Sequence, residues 1–283
     1  MTISAKVISD SIAECSPRLT TLQIIFPRFI LAEFNTHRVF SRNFRSSRAV
    51  PVKKLIEEVR NNPYEPLVWL KNKPGMQGGE PMSPDEIERA RNTWRQGARY
   101  AADVAEWLAT YDLHKQWANR GLEPYLYVHG VVTSTEWSNF FALRRHKDAQ
   151  PEMKALADAI HEAMENSESE LLKPGQWHMP FITDHDLIHL DSGLLHDDLI
   201  KISVARCART SYMTHEGKEP NIDDDLKLYD RLVGQIPLHA SPCEHQATPD
   251  TPTINKNEWA KPHLHGNLKG WCQHRKFLLG ENQ

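Results

Sequence analysis

Long apolar runs, paired cysteines and an excess of either charge are all missing from this chain. Among its 283 residues no apolar segment approaches the roughly 18 residues that a membrane-crossing helix requires. The four cysteines, Cys15, Cys207, Cys243 and Cys272, are scattered and form no C-x-x-C pair. That pattern argues against a disulfide framework and for a reducing compartment. The formal net charge is −3, with 34 Lys and Arg against 37 Asp and Glu, too even a balance to create the basic field of a tight duplex binder. The first residues, MTISAKVISD, lack a basic stretch leading into an apolar run, so no signal peptide is expected. No low-complexity tract and no fixed-period repeat is present. Together these absences describe a soluble cytoplasmic protein without a membrane partner or a stable nucleic-acid partner.

What remains is an ordinary apolar fraction of 40%, enough for a real core, and 15 histidines. Residues 5–15 and 18–27 read as strands, the second rich in β-branched and aliphatic side chains. After Pro27, the helical spacing of Ile30, Phe34 and His37 predicts a helix leading into the segment His37–Arg48. A helix is expected from Val52 to before Asn62-Pro63, and the turn-rich stretch 66–82 reads as a loop or flap. Ser83-Pro84-Asp85-Glu86 combines a cap, a first-turn proline and two acids, and so predicts a long helix to about Thr110. Further helices are predicted over 114–120, 136–145, 149–166, 199–210 and 221–234, with a buried strand over 125–134. Residues 238–249 read as a compact polar turn.

Thr36 to Arg48 gathers four arginines, one histidine, three serines and one asparagine in thirteen residues. Guanidinium forks beside short hydroxyls suit a phosphate, although an arbitrary Arg/Ser run is more often a solvated basic loop. Here both ends look anchored, by the apolar run before it and by Ala49-Val50-Pro51 after it.

These residues resemble a motif of the flavin-dependent thymidylate synthases, R-H-R followed after seven residues by S, matched at His37, Arg38, Asn43, Ser46 and Arg48. A second block, EWSNFFALRRHKDAQPEM, is similar to that family's N-F-x-x-L-R-x-x-x-x-A-Q-x-E, with Asn139, Phe140, Leu143, Arg144, Ala149, Gln150 and Glu152 at matching spacing. A third resemblance is displaced. Ala208-Arg209-Thr210-Ser211-Tyr212 and His239-Ala240-Ser241-Pro242-Cys243-Glu244-His245 resemble segments that stand N-terminal in the family, so the element order looks circularly permuted. The resemblance implies an α+β fold, an antiparallel or mixed sheet packed with long helices. It implies one catalytic domain over 1–283, in which about 198–248 replaces the family's N-terminal segment and 249–283 is an added tail.

The family's properties imply the following. FAD would contact His37, Arg38, Asn43, Asn139, Ser211, Ser241 and Glu244. The nucleotide would contact Ser46, Ser47 and Arg48 at its phosphate, Arg144 at the pyrimidine edge, and Arg120. Arg144 and His239 would be the catalytic pair, the latter near flavin and one-carbon donor. The reaction would convert dUMP to dTMP with methylenetetrahydrofolate and NADPH, in a homotetramer, with no metal. Thr36, Phe44, Arg45, Glu33 and Asp148 depart from the family pattern. They leave open a dUMP or dCMP hydroxymethylase of the phage type, which would act in a host cytoplasm.

Other readings stay in view. Pro242-Cys243-Glu244-His245 resembles the Pro-Cys nucleophile of folate-only thymidylate synthases, with His245 as base. A zinc deaminase reading fails for want of a glutamate at 241 and a cysteine three residues after Cys243. His263, His265, Cys272 and His274 could ligate a metal, but their spacing matches no common zinc arrangement, and a surface or partner-contact role is expected. In a single-strand-binding module, Phe40 and Phe44 would be stacking faces.

Overall fold

The computed structural model describes residues 2–188, 195–212, 221–253 and 258–281. Strand β1 (Ser4–Ala13) pairs antiparallel with β2 (Ser16–Pro27), and β2 with β4 (Tyr127–Ser134). β3 (Ser41–Phe44) pairs antiparallel with the far side of β4, and β5 (Glu170–Leu171) runs parallel to β1. The sheet order is β3-β4-β2-β1-β5. This is the mixed sheet of an α+β fold, as expected. The helix proposed to reach His37 is shorter: α1 (Leu31–Phe34) stops before it, and the His37 N–H in the following turn donates to the Phe34 carbonyl.

Period-two alternation gives the sheet two unlike faces. Leu22, Ile24, Phe26, Val128 and Val132 lie in the main core with Met153, Leu156, Ala157 and Ile160 of α6 (Pro151–Glu165). On the opposite face Ser9, Thr21, Thr133 and Ser41 fall in register across four strands. The long helix α8 (His196–Tyr212) lies over β3 and β4, its buried residues including Ser203, Val204 and Cys207. A second cluster joins α2 (Val52–Asn61) to α3 (Pro84–Thr110) through Leu55, Ile56, Val59, Ala98, Ala102 and Ala105.

Helix ends follow their sequence signals. Ser83 and Glu86 form the capping box of α3, and Asn221 caps α9 (Ile222–Val233). Pro151 stands in the first turn of α6, separating it from α5 (Ser138–Arg144). The helix predicted over 114–120 contracts to α4 (Lys115–Ala118), followed by a 3-10 turn, Arg120–Tyr125.

Residues 238–249, expected as a polar turn, are largely buried. They form a 3-10 helix, Ser241–Glu244, and strand β6 (Ala247–Pro249), which pairs with β7 (Trp271–Gln273) of the tail. Trp271 and Leu268 complete a cluster with Ala13, Leu19, Leu172 and Ala247. The tail is therefore part of the core. No described helix is long and apolar enough to cross a membrane.

Candidate active site

The segment His37–Arg48 is not one loop. Its middle is the edge strand β3, and its four arginines have different fates. Arg45 is 4% exposed and forms a bidentate pair with Glu58 at 2.9 and 2.7 Å. Arg42 turns to the carbonyls of His37 and Phe40. Only Arg38 and Arg48 are exposed, so the picture of four phosphate-binding forks reduces to two.

His37 is 8% exposed and lies under α5. Its ring meets Phe140 edge-on at 4.9 Å and stacks with Phe40 at 5.8 Å. Arg144 Nε donates to His37 Nε2 at 2.9 Å. An acceptor nitrogen must be unprotonated. Burial, and then the charges of Arg144 and Arg42, hold the His37 pKa below the ordinary histidine value, consistent with that state. Among the described residues, the terminal nitrogens of Arg144 have no hydrogen-bond partner.

Beyond β3, Ser46 is half-buried and accepts from Arg48 N–H. Ser47 points inward instead: it is 3% exposed and donates to Glu123 at 2.6 Å. That hydroxyl is already used inside the fold, against its expected phosphate role. Glu123 also pairs with Arg120 at 3.0 Å and Arg28 at 3.2 Å. Asn119 donates to the carbonyls of Ser47 and Val50. Thus Arg120 is tied to the Ser46–Arg48 turn through a carboxylate the sequence did not single out.

The block at 239–245 meets the first. The Ser241–Glu244 helix packs on β3, bringing Ser241 and Glu244 to the strand that carries buried Asn43. Tail residues lock this junction. Gln273 Nε2 donates to the Glu244 carbonyl at 3.0 Å and Ser41 Oγ at 3.3 Å, Asn267 donates to Val39 O, and Arg275 pairs with Glu244. Ser211 lies at the end of α8, but its side chain is outside the described residues. His239 is exposed and lines a cleft of about 960 Å³ with Arg209, Lys227 and Arg231. No hydrogen bond joins it to Arg144.

Several motif residues prove architectural. Gln150 accepts from Met153 N–H to cap α6. Glu152, 4% exposed, accepts from Tyr64 Oη at 2.9 Å and Leu67 N–H at 3.0 Å. Phe40 is 3% exposed, and Phe44 meets Phe26 and Phe34 edge-on, so neither offers the free face that a single-strand-binding module needs. Cys243 is fully buried, and its thiol is pushed up to about 12 by burial and by neighbouring Glu244. This is the reverse of what a nucleophile requires.

Of the four residues expected in a surface or partner-contact role, His265 and Cys272 are buried and His274 is half-buried beside Tyr229, while His263 is exposed. Asp250, His265 and Cys272 bring ligand atoms within 4.8 Å of one another. Both His265 nitrogens are engaged, however: Nδ1 accepts from Gly270 N–H and Nε2 donates to Asp250. Asp250 and His265 are thereby joined as a hydrogen-bonded clasp, in which Asp250 also accepts from Thr251 and Lys261 N–H.

A relay of buried polar groups also lies behind the sheet. His178 bonds Ser11 at 2.8 Å and Thr21 at 2.7 Å, Thr21 bonds Thr133, and Thr133 bonds His245 Nδ1 at 2.8 Å. Its advance signal in the sequence was the hydroxyls on three strands: Ser9 and Ser11 of β1, Thr20 and Thr21 of β2, and Thr133 and Ser134 of β4.

No curated protein matches the chain. Solved structures similar to it include a UMP/dUMP methylase, PolB from Streptomyces cacaoi bound with 5-Br dUMP, at 15% identity over 58% of this chain and 90% of that one, with a TM-score of 0.47. Another is the flavin dependent thymidylate synthase ThyX from Helicobacter pylori complexed with FAD and dUMP, at 20% identity over 52% and 67% of the two chains, with a TM-score of 0.35. Likenesses this distant assign no role to any residue. The profile of the family described as Thymidylate synthase complementing protein matches residues 17–167, a span holding β2, β3, β4, α5 and α6. Because that match takes in more than half of the chain, the protein belongs to the thymidylate synthase complementing protein family.

Proposed function

We propose that this protein transfers a one-carbon unit to C5 of a pyrimidine deoxynucleotide, converting dUMP to dTMP with FAD as cofactor and methylenetetrahydrofolate and NADPH as co-substrates. One observation carries the reading: Arg144 is held through Nε by a neutral imidazole while, among the described residues, both its terminal nitrogens have no partner. A guanidinium so placed favours negative charge developing on the pyrimidine edge, and so makes C5 nucleophilic without a thiolate adduct. The raised pKa of Cys243 agrees with a route that needs no thiolate.

The donor set suits an anionic dinucleotide. Arg38, Asn139 and Ser241 are exposed, and among the described residues their side chains have no hydrogen-bond partner. Asn43 and Glu244 stand at the adjoining junction. Bound flavin would supply hydride and relay the one-carbon unit, chemistry no side chain offers. Ser46 and Arg48, with Arg120 linked through Glu123, would hold the phosphate. His239 would face the folate from the α8–α9 cleft. Residues 198–248 are read as the displaced counterpart of the family's N-terminal segment, within a single domain spanning 1–283. Self-association, as in a homotetramer, is supported by an apolar stripe on α3, where Tyr100, Val104 and Trp107 are exposed at helical spacing, with exposed Tyr111 just past the helix end.

A second reading keeps the cofactor and changes the product. Phe44 stands where the family usually has glutamate. Its ring lies over Gly130, where a Cβ would approach to 2.0 Å, so the position is committed to packing and offers no carboxylate. That loss favours altered base or product selection, a dUMP or dCMP hydroxymethylase. Mass spectrometry of products from dUMP and from dCMP, with FAD, NADPH and methylenetetrahydrofolate, separates the two. Methylated dUMP supports the first reading, a hydroxymethylated nucleotide the second, and unmodified nucleotides contradict both.

A further inference from the structure

We propose that His37 is a positioning residue that acts through Arg144, accepting the guanidinium Nε–H so that the two terminal nitrogens are presented to the pyrimidine with their full positive charge. The inference rests on the reading of Arg144 given above. It replaces the expected flavin contact at His37 Nε2, because the lone pair that would make that contact already receives Arg144 at 2.9 Å.

The geometry is held from several directions. Arg144 ends a seven-residue helix and, among the described residues, its side chain has no hydrogen bond other than this one. Phe140 lies one turn earlier on the same helix, and its ring meets the imidazole edge-on at 4.9 Å. Positions i and i+4 of a helix share a face, so α5 grips one histidine with both its apolar and its polar member. From below, Phe40 stacks on the ring, the His37 N–H donates to the Phe34 carbonyl, and Arg42 Nη1 donates to the His37 carbonyl at 2.9 Å. A long, flexible side chain at the end of a short helix otherwise samples many rotamers.

The identity of the acceptor matters as much as its position. A carboxylate would hold Nε equally well, but its negative charge would offset the guanidinium's field at the substrate. Neutral imidazole orients the arginine without cancelling it. The charged groups facing the ring are Arg144 from α5 and Arg42 from β3, both cationic. They oppose protonation and keep the acceptor lone pair available.

Two measurements test this. In ligand-free protein labelled at histidine nitrogens, NMR should show His37 with a bare Nε2 and titration below the ordinary range. Arg144→Ala should move that titration upward. A protonated Nε2, or a titration indifferent to Arg144→Ala, overturns the pairing whatever the enzyme's reaction turns out to be. In FAD-loaded enzyme, His37→Phe keeps the ring stack and removes the acceptor. It should retain flavin and lose about 10²-fold in kcat, the scale of a misplaced catalytic group. His37→Gln, with a neutral acceptor, should recover to within about tenfold of wild type, and His37→Glu should not. Loss of flavin in step with activity, or an unchanged kcat in His37→Phe, contradicts the positioning role. If wild type does not turn over dUMP while the NMR result holds, the proposed reaction fails and the pairing stands.

Discussion

Residues of one type take different roles here because of where they sit in the fold. Arg38, Arg42, Arg45 and Arg48 look alike in sequence, yet one is bound to backbone carbonyls, one is buried against Glu58, and two are exposed. Arg144→Ala should lower kcat by about 10²–10³ with flavin content retained, the cost of removing one preorganised charge-stabilising donor. Steady-state kinetics beside flavin absorbance check it. Ser46→Ala and Arg48→Ala should weaken dUMP binding by about 1 to 3 kcal/mol each, read by calorimetry; unchanged affinity removes them from the phosphate site. Cys243→Ser should keep per-flavin turnover, whereas a dead but folded variant would restore the thiolate route. The motif spacing singled out Arg144, Ser46 and Arg48 as candidates. It did not show that Ser47 points inward to Glu123, or that Gln150 and Glu152 cap a helix and anchor Tyr64. The Ser47 and Glu152 contacts depend on neighbours 76 and 88 residues away, whereas the Gln150 cap is local, to Met153.

At the scale of elements, long periodic segments could be read and short ones could not. β2, α3, α6 and α9 carry strong patterns or caps, and their ends fall near the predicted boundaries. β5, β6 and β7 have two or three residues each, too few to show a period. His37 matched the helical spacing, but α1 stops at Phe34 and the histidine is buried by tertiary packing. Buried ion pairs lock α8 to its neighbours: Arg206 reaches Asp186 of α7 (Asp184–Ile188) at 2.6 Å and Asp225 of α9 at 2.9 Å. Arg206→Met would leave buried Asp186 without its cationic partner and Asp225 with Arg209 alone. It should cost about 3–5 kcal/mol in urea denaturation; a loss under 1 kcal/mol would mean that water reaches the cluster.

For the molecule as a whole, the tail and the neutral histidines behind the sheet tie distant parts together. Trp271 is fully buried and donates from Nε1 to the Pro17 carbonyl. Trp271→Ala should cost about 3–5 kcal/mol, which no detachable tail would. Burial depresses His178 and His245 to about 3 and His274 to about 4. Below the unfolded value near 6.5, the unfolded chain takes up protons that the folded one refuses. Their contribution is therefore complete above pH 6.5 and is lost as pH falls, by up to about 1.4 kcal/mol per unit for each histidine. Urea midpoints measured between pH 7 and 5 should fall accordingly, and His245→Gln should flatten the slope.

The central claim is that flavin and a pyrimidine nucleotide share one site built around Arg144, and a titration of the FAD-loaded protein with dUMP tests it most directly. The flavin spectrum should shift and saturate with dUMP, and the shift should weaken sharply in Arg48→Ala. A protein that cannot be loaded with FAD, or a flavin whose spectrum ignores dUMP, would contradict the account.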